Sequence, residues 1–397
     1  VSKTLPLARR MGSMQRSTIR EILKLTSHKD VISFAGGLPA PELFPLEQFQ
    51  KAMLQAFEED GASALQYDVT EGFFPLKEFM CHWLGKQGIA CRPENMLFTN
   101  GSQQALDLIG KILLDPEDTV LVENPTYLGA IQAFNAYQAR YAVSPIDDEG
   151  LIPAPLENIL ASRKVRFSYV VPTFSNPSGA TMSLARRKAF LKILREKKLW
   201  VIEDDPYGLL RFKKSPVPSL YRLNEGRGVF YLTTFSKILS PGIRLGVVVA
   251  EADAIAALVM AKQAADLQPN SLIQRAVYHY ARNGDLDRHI PLIIEAYKQR
   301  AGAMEAAMKK YFPKNVHWVS PDGGMFIYCR LPEGVSATKL FTEAIRNKVA
   351  YVAGEVFHAA GGGENTMRLN FTNSTFEQIE EGIKRLGMVL QQSAGSV

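Results

Sequence analysis

The 397-residue chain is poor in the features that mark several large classes of protein. It has three cysteines, Cys81, Cys91 and Cys329, an odd number with no C-x-x-C spacing, so neither a disulfide framework nor a cysteine zinc site is indicated. No metal is expected, and a reducing, cytoplasmic compartment fits this usage best. The most apolar stretch, residues 245–260, is interrupted by Glu251 and Asp253, which argues for a soluble protein without a membrane span. At the N-terminus there is no basic segment followed by an apolar core of the kind that directs secretion. The formal net charge is +6, yet no dense Lys/Arg block and no interleaving of basic and aromatic residues is present, so nucleic acid is not an expected partner. Arg186, Arg187 and Lys188, like Lys197 and Lys198, are expected on a solvated helix face. Internal repeats, low-complexity tracts and flexible linkers are missing too.

What remains is a chain with 46% hydrophobic residues, long enough to bury a large core and to form two domains. Strand-like runs at 96–99, 119–122, 167–171, 199–202, 228–232 and 245–250 alternate with helical patterns. Such alternation predicts an α/β architecture with a doubly wound, mostly parallel sheet. Residues 287–310 have the spacing of a long amphipathic helix; 323–328 and 366–371 read as strands and 376–390 as a final helix. The expected organisation is an N-terminal helix and arm over 1–45, a large domain over 46–290 and a smaller α+β domain over 291–397.

The segment Thr234-Phe235-Ser236-Lys237, followed by Pro241-Gly242-Ile243-Arg244, places a lysine amine among hydroxyls with an arginine one short loop later. Those groups suit a covalent bond to an aldehyde beside a bound phosphate, and pyridoxal 5'-phosphate carries both. Upstream, the apolar run 200–202 ends in Glu203-Asp204-Asp205 and then Tyr207, the profile of a buried strand delivering carboxylates at its carboxyl end. A carboxylate there keeps a pyridine nitrogen protonated, and a nearby phenol tunes the lysine's reactivity. A third strand runs into Asn176-Pro177-Ser178-Gly179, and Gly101-Ser102-Gln103 opens a helix whose N-terminus suits phosphate. Each residue also has a plainer reading. Lys237 alone is a surface amine, Asp204 a strand-end acid, Ser102 an N-cap, Asn176 part of a turn, Tyr127 and Tyr207 packing, and Arg368 a surface ion pair.

Taken together, these motifs, with Ser33-Phe34-Ala35-Gly36-Gly37-Leu38-Pro39 and Met367-Arg368-Leu369, resemble the fold-type I pyridoxal-phosphate aminotransferases, in particular the 2-aminoadipate and kynurenine branch. The resemblance covers essentially the whole chain. It implies Lys237, Asp204 and Tyr207 as catalytic residues. It further implies Ser102, Gln103, Tyr127, Asn176, Thr234, Ser236 and Arg244 as cofactor ligands, with Tyr67 reaching the cofactor of a neighbouring subunit in a homodimer with shared active sites. Arg368, Asn176 and the backbone at Gly37 would bind the substrate's α-carboxylate, and Arg20 its distal carboxylate. Arg16, Arg20 and Lys24 share one face at helical spacing with no acid among them, an arrangement that favours an incoming anion.

The implied reaction moves the amino group of an L-amino acid (2-aminoadipate, glutamate, an aromatic or branched-chain donor) to a 2-oxo acid such as 2-oxoglutarate. It is ping-pong, through a Schiff base at Lys237, with pyridoxamine 5'-phosphate formed during the cycle. A β-lyase or decarboxylase on the same scaffold is the alternative. A cofactor-sensing regulator with a DNA-binding head is less expected, because the shared motifs begin by Ser17.

Overall fold

The computed structural model of the chain describes residues 5–14 and 30–394. Its centre is an eight-stranded sheet of β2 (Met96–Thr99), β3 (Thr119–Asn124), β4 (Arg140–Asp147), β5 (Gly150–Leu151), β6 (Val165–Val170), β7 (Trp200–Asp204), β8 (Val229–Thr234) and β9 (Gly246–Val249). The spatial order is β2-β9-β8-β7-β6-β3-β4-β5. From β8 through β4 the strands run parallel, whereas β9 is antiparallel to both neighbours and β5 to β4. The inner strands are buried along nearly their whole length, which is why they read as continuous apolar runs rather than alternating ones.

The reversed direction of β9 places the site. Gly246 pairs with both Thr99 and Thr234, so the start of β9 lies against the carboxyl ends of β2 and β8. Arg244, just before it, therefore arrives at the edge where the parallel strands deliver their own terminal residues. This approach is close: a Cβ at Gly246 would stand 2.7 Å from the carbonyl carbon of Gly101, so only glycine fits.

A second, antiparallel sheet has the order β10-β11-β14-β13, from His317–Trp318, Phe326–Arg330, Thr366–Asn370 and Val352–Ala353. Near the start of the described chain, β1 (Ile32–Ser33) pairs in parallel with β12 (Val349–Ala350), and Asn370 N donates to the Phe34 carbonyl at 2.8 Å. Residues 32–37 are thereby laid along the C-terminal strands. A helix over Asp285–Tyr311, slightly longer than its sequence pattern, is followed by these strands and by a last helix over Phe376–Ala394. Of the two glycines expected in a strand, Gly323 makes an isolated antiparallel bridge with Arg211 and Gly324, at φ +75°, bends the chain before β11.

Arg187 corrects one expectation. It sits on the inward face of the helix Leu184–Glu196 with Phe190, Leu191 and Leu194, and is 1% exposed rather than solvated. Its guanidinium donates to the carbonyls of Met182, Pro172 and Pro218 and to Thr173 Oγ1, and faces Glu203 at 3.7 Å. A basic triplet on a helix has one member turned inward whenever the triplet straddles the apolar face, and here the inward member finds enough acceptors to remain there. The three cysteines are free thiols, but Cys81 and Cys91, far from any motif, bring their sulfurs to 3.6 Å. No helix of the described residues is long and apolar enough to cross a membrane, and no metal-binding cluster occurs among them.

Candidate active site

The carboxyl edge of the large sheet, residues 37–38 and β14 enclose a cavity of about 630 Å³. Its wall includes Gly37, Ser102, Gln103, Tyr127, Asn176, Asp204, Tyr207, Thr234, Ser236, Lys237, Arg244 and Arg368, so residues scattered over 330 positions meet in one place. Two anticipated residues do not. Tyr67 is 78% exposed and outside this wall, and Arg20 lies outside the described residues.

Lys237 follows β8 on the turn 235–240. Its Nζ donates to the Gly37 carbonyl at 2.8 Å, and burial, with the cations of Arg368 and Arg244, brings its pKa down to about 8. Such an amine is in part neutral near physiological pH, the state needed for nucleophilic or general-base chemistry.

Asp204 ends β7 and is 3% exposed. Desolvation pushes its pKa up to about 7, opposed by a hydrogen bond from Tyr169 Oη to Oδ2. Its other oxygen, Oδ1, is buried with no partner, as are Ser102 Oγ and Arg368 Nε. Unsatisfied buried polar atoms are costly, and a hydroxyl, a carboxylate and a guanidinium left so around one cavity fit a ligand with a phosphate, a protonated ring nitrogen and a carboxylate. Among the described residues, that donor set suits pyridoxal 5'-phosphate with an amino acid.

At the phosphate-suited end, Ser102 is the first residue of the helix Ser102–Leu113, and Gly101, not Ser102, occupies the N-cap. The serine hydroxyl is thus not consumed by capping. Thr234 Oγ1 donates to Ser236 Oγ at 3.0 Å, and Arg244, at φ +51°, donates to the Asn100 carbonyl at 2.9 Å. A Cβ on Gly101 would come within 2.5 Å of Arg244 Nη2, so the glycine makes room for the guanidinium. Gln103 is turned to the Gly129 carbonyl at 2.8 Å, and Gly129 is itself constrained, since a Cβ there would meet the Tyr127 ring at 2.5 Å.

Arg368, in β14, is fully buried. Nη1 donates to Asn176 Oδ1 at 2.7 Å and Nη2 to the Ala35 carbonyl at 2.6 Å, while the guanidinium lies 4.3 Å over the Phe326 ring and 5.0 Å over Phe357. Desolvation lowers its pKa to about 10, which still leaves it cationic at neutral pH. Tyr207 packs edge-on to Phe326, and burial keeps its phenol neutral, well above the usual tyrosine range.

Reasoning from motifs missed Tyr169 and Gly129. Tyr169 carries one signal: a tyrosine in an otherwise apolar buried strand needs a partner for its hydroxyl. That partner sits on the neighbouring strand, where no spacing rule reaches.

Comparison with known proteins places the chain in a family. The family model described as "Aminotransferase class I and II" matches residues 29–386. The chain is 45% identical over 383 residues to a 2-aminoadipate transaminase of Thermus thermophilus, covering 96% of this chain and 95% of that one. It is 44% identical over 385 residues to aromatic-amino-acid aminotransferase 1 of Thermococcus litoralis, covering 96% and 92%. The crystal structure of the α-aminoadipate aminotransferase from Thermus thermophilus, complexed with N-(5'-phosphopyridoxyl)-L-leucine, superposes with a TM-score of 0.92 at 43% identity, covering 98% of each chain.

Proposed function

The chain belongs to the class I and II aminotransferases and is a pyridoxal-phosphate-dependent transaminase of fold type I; on that premise we propose a broad donor range, comprising 2-aminoadipate, glutamate and aromatic or branched-chain L-amino acids, with 2-oxoglutarate as an acceptor. What supports this reading is one cavity that joins an enclosed amine, a buried carboxylate with an open oxygen and a buried guanidinium. The relatives named for 2-aminoadipate and for aromatic amino acids are almost equally similar, which favours breadth over a single donor.

The cofactor, when bound, supplies an aldehyde that accepts amino groups and a ring that accepts electrons. Ser102, Thr234, Ser236 and Arg244 would hold its phosphate, Asp204 its protonated ring nitrogen, and Tyr127 its ring face. Lys237 takes and returns a proton at Nζ, a role its lowered pKa suits. Arg368 grips the α-carboxylate, and the aromatic rings of Phe326 and Phe357 hold its fork in one plane. Tyr207, neutral and enclosed, has its phenol oxygen beside the Asn176 side chain, from which it accepts, and its hydroxyl would donate to the cofactor's ring oxygen.

A homodimer completes the proposal. In sequence Tyr67 is flanked by Leu65, Val69 and Phe74, each exposed, and a second copy would cover these apolar side chains while receiving the Tyr67 phenol. The division of the chain at about residues 45 and 290, and a cytoplasmic setting, belong to the same reading. A panel of amino donors against 2-oxo acids tests the function. Breadth predicts turnover of 2-aminoadipate, leucine and phenylalanine, and activity on one donor alone would reject it. In the same panel Arg20→Ala should impair acidic donors far more than leucine, and equal losses would remove Arg20 from substrate recognition.

A further inference from the structure

Behind the turn that carries Gly101 and Ser102 lies a polar cluster that lines no part of the cavity. Lys262 is completely buried at the end of the helix Ala252–Gln263, with Nζ 2.7 and 2.9 Å from the two carboxylate oxygens of Asp266 and 2.9 Å from Gln104 Oε1. Asp266 Oδ2 also accepts from Asn100 Nδ2 and from Gln104 Nε2, each at 2.6 Å. Gln104 Oε1 accepts from the Asn100 backbone N–H at 2.8 Å. The Asn100 carbonyl in turn receives Arg244 Nη2 at 2.9 Å.

Asn100 is thus fixed at side chain, N–H and carbonyl at once, and the carbonyl is what the Arg244 guanidinium rests on. Replacing a buried ion pair with apolar residues is often neutral or stabilising, so stability alone is a weak reason for this one. A polar network whose members satisfy each other does, however, hold one geometry. Both groups that meet Asn100, the N-terminus of the helix Ser102–Leu113 and Arg244, belong to the phosphate end of the cavity.

We propose that Lys262, Asp266, Gln104 and Asn100 form the positioning device of the phosphate cradle, and that they set the protein's preference for a phosphorylated cofactor over its unphosphorylated counterpart. The proposal rests on the cofactor assignment above. None of the four is a catalytic residue: they act through Arg244 and the backbone at Gly101.

The test compares equilibrium binding of pyridoxal 5'-phosphate and of pyridoxal, which lacks the phosphate, to apo-protein. The Lys262→Met/Asp266→Asn double variant removes both charges together and so leaves no unpaired buried ion. It should weaken pyridoxal 5'-phosphate about tenfold or more, the scale of one charge-assisted hydrogen bond, with pyridoxal changed less than about twofold. Gln104→Met, which breaks the network with no change of charge, should move the ratio the same way and serves if the double variant folds poorly. Equal weakening of both ligands, or a lower melting temperature with the ratio unchanged, would overturn the proposal. Should wild-type protein bind pyridoxal as tightly as its phosphate, the cofactor assignment itself fails, an outcome separate from unresponsive variants.

Discussion

Tyr169 Oη donates to Oδ2 of Asp204 at 2.9 Å, and Oδ1 of the same carboxylate, equally enclosed, has no partner. One oxygen is anchored in the sheet by the neighbouring strand while the other is kept for the cavity. The bond does more than aim the carboxylate: it opposes the desolvation that pushes the Asp204 pKa up to about 7.

In Tyr169→Phe that opposition is gone, and the Asp204 pKa should rise further. Cofactor affinity that depends on an ionised Asp204 should then fall off at a higher pH than in the wild type. Titrating pyridoxal 5'-phosphate binding between pH 5 and 9 reads the shift directly, and superimposable profiles would show that Tyr169 only fills space.

Asp204→Asn should stabilise the apo-protein at alkaline pH while weakening the cofactor. An unfolded aspartate titrates at about 3.9 and the folded one at about 7. Between those values the folded protein keeps a proton that the unfolded chain releases, so the wild type loses stability as pH rises through that window. The asparagine variant carries no such penalty. Its advantage, on the order of a few kcal/mol at pH 8, should vanish towards pH 4. Melting curves of both apo-proteins at several pH values suffice; an advantage independent of pH would contradict the buried-carboxylate account.

Lys237 should capture pyridoxal 5'-phosphate covalently, with a rate that climbs through about pH 8 as the amine loses its proton. Borohydride trapping followed by peptide mass spectrometry locates the bond, and Lys237→Ala should leave none. Because Arg368 helps to depress this pKa, Arg368→Met should move the midpoint upward. An unmoved midpoint would leave burial and Arg244 as the causes.

Arg368→Lys keeps the charge and loses the planar fork. It should lower kcat/KM for every amino donor by a similar factor, about 10–100-fold for one or two charge-assisted bonds. The contrast with Arg20→Ala is in the pattern across donors, uniform for one and selective for the other. Unequal losses in Arg368→Lys would place this arginine at the side-chain end of the substrate.

Much of the fold was legible because burial writes itself into sequence. β3, β7 and β8 are covered on both faces and so appear as unbroken apolar runs. Direction leaves no such trace: nothing in the valines of β9 says that it runs against its neighbours, and the two-residue strands β1 and β12 are too short to show a period. In the site, Lys237, Asp204, Asn176 and Arg368 were visible through short motifs whose chemistry is unusual. Tyr169 was not, since its meaning depends on the adjacent strand. Lys262 and Asp266 were hidden for another reason: at i and i+4 they look like any solvated helical ion pair, and only the fold buries the lysine.

The pairing of β1 with β12 and the bond from Arg368 to the Ala35 carbonyl, 333 positions away, have a consequence for biosynthesis. A chain emerging from the ribosome has made every strand of the 96–249 sheet, and Lys237 on the turn after β8, before β12 and Arg368, the partners of residues 32–35, exist. Closing so large a loop is slow, because its entropy must be lost before the contacts repay it. The carboxylate grip therefore needs both ends of the chain, and a nascent chain stopped short of β14 lacks the grip on amino acids however complete its central sheet.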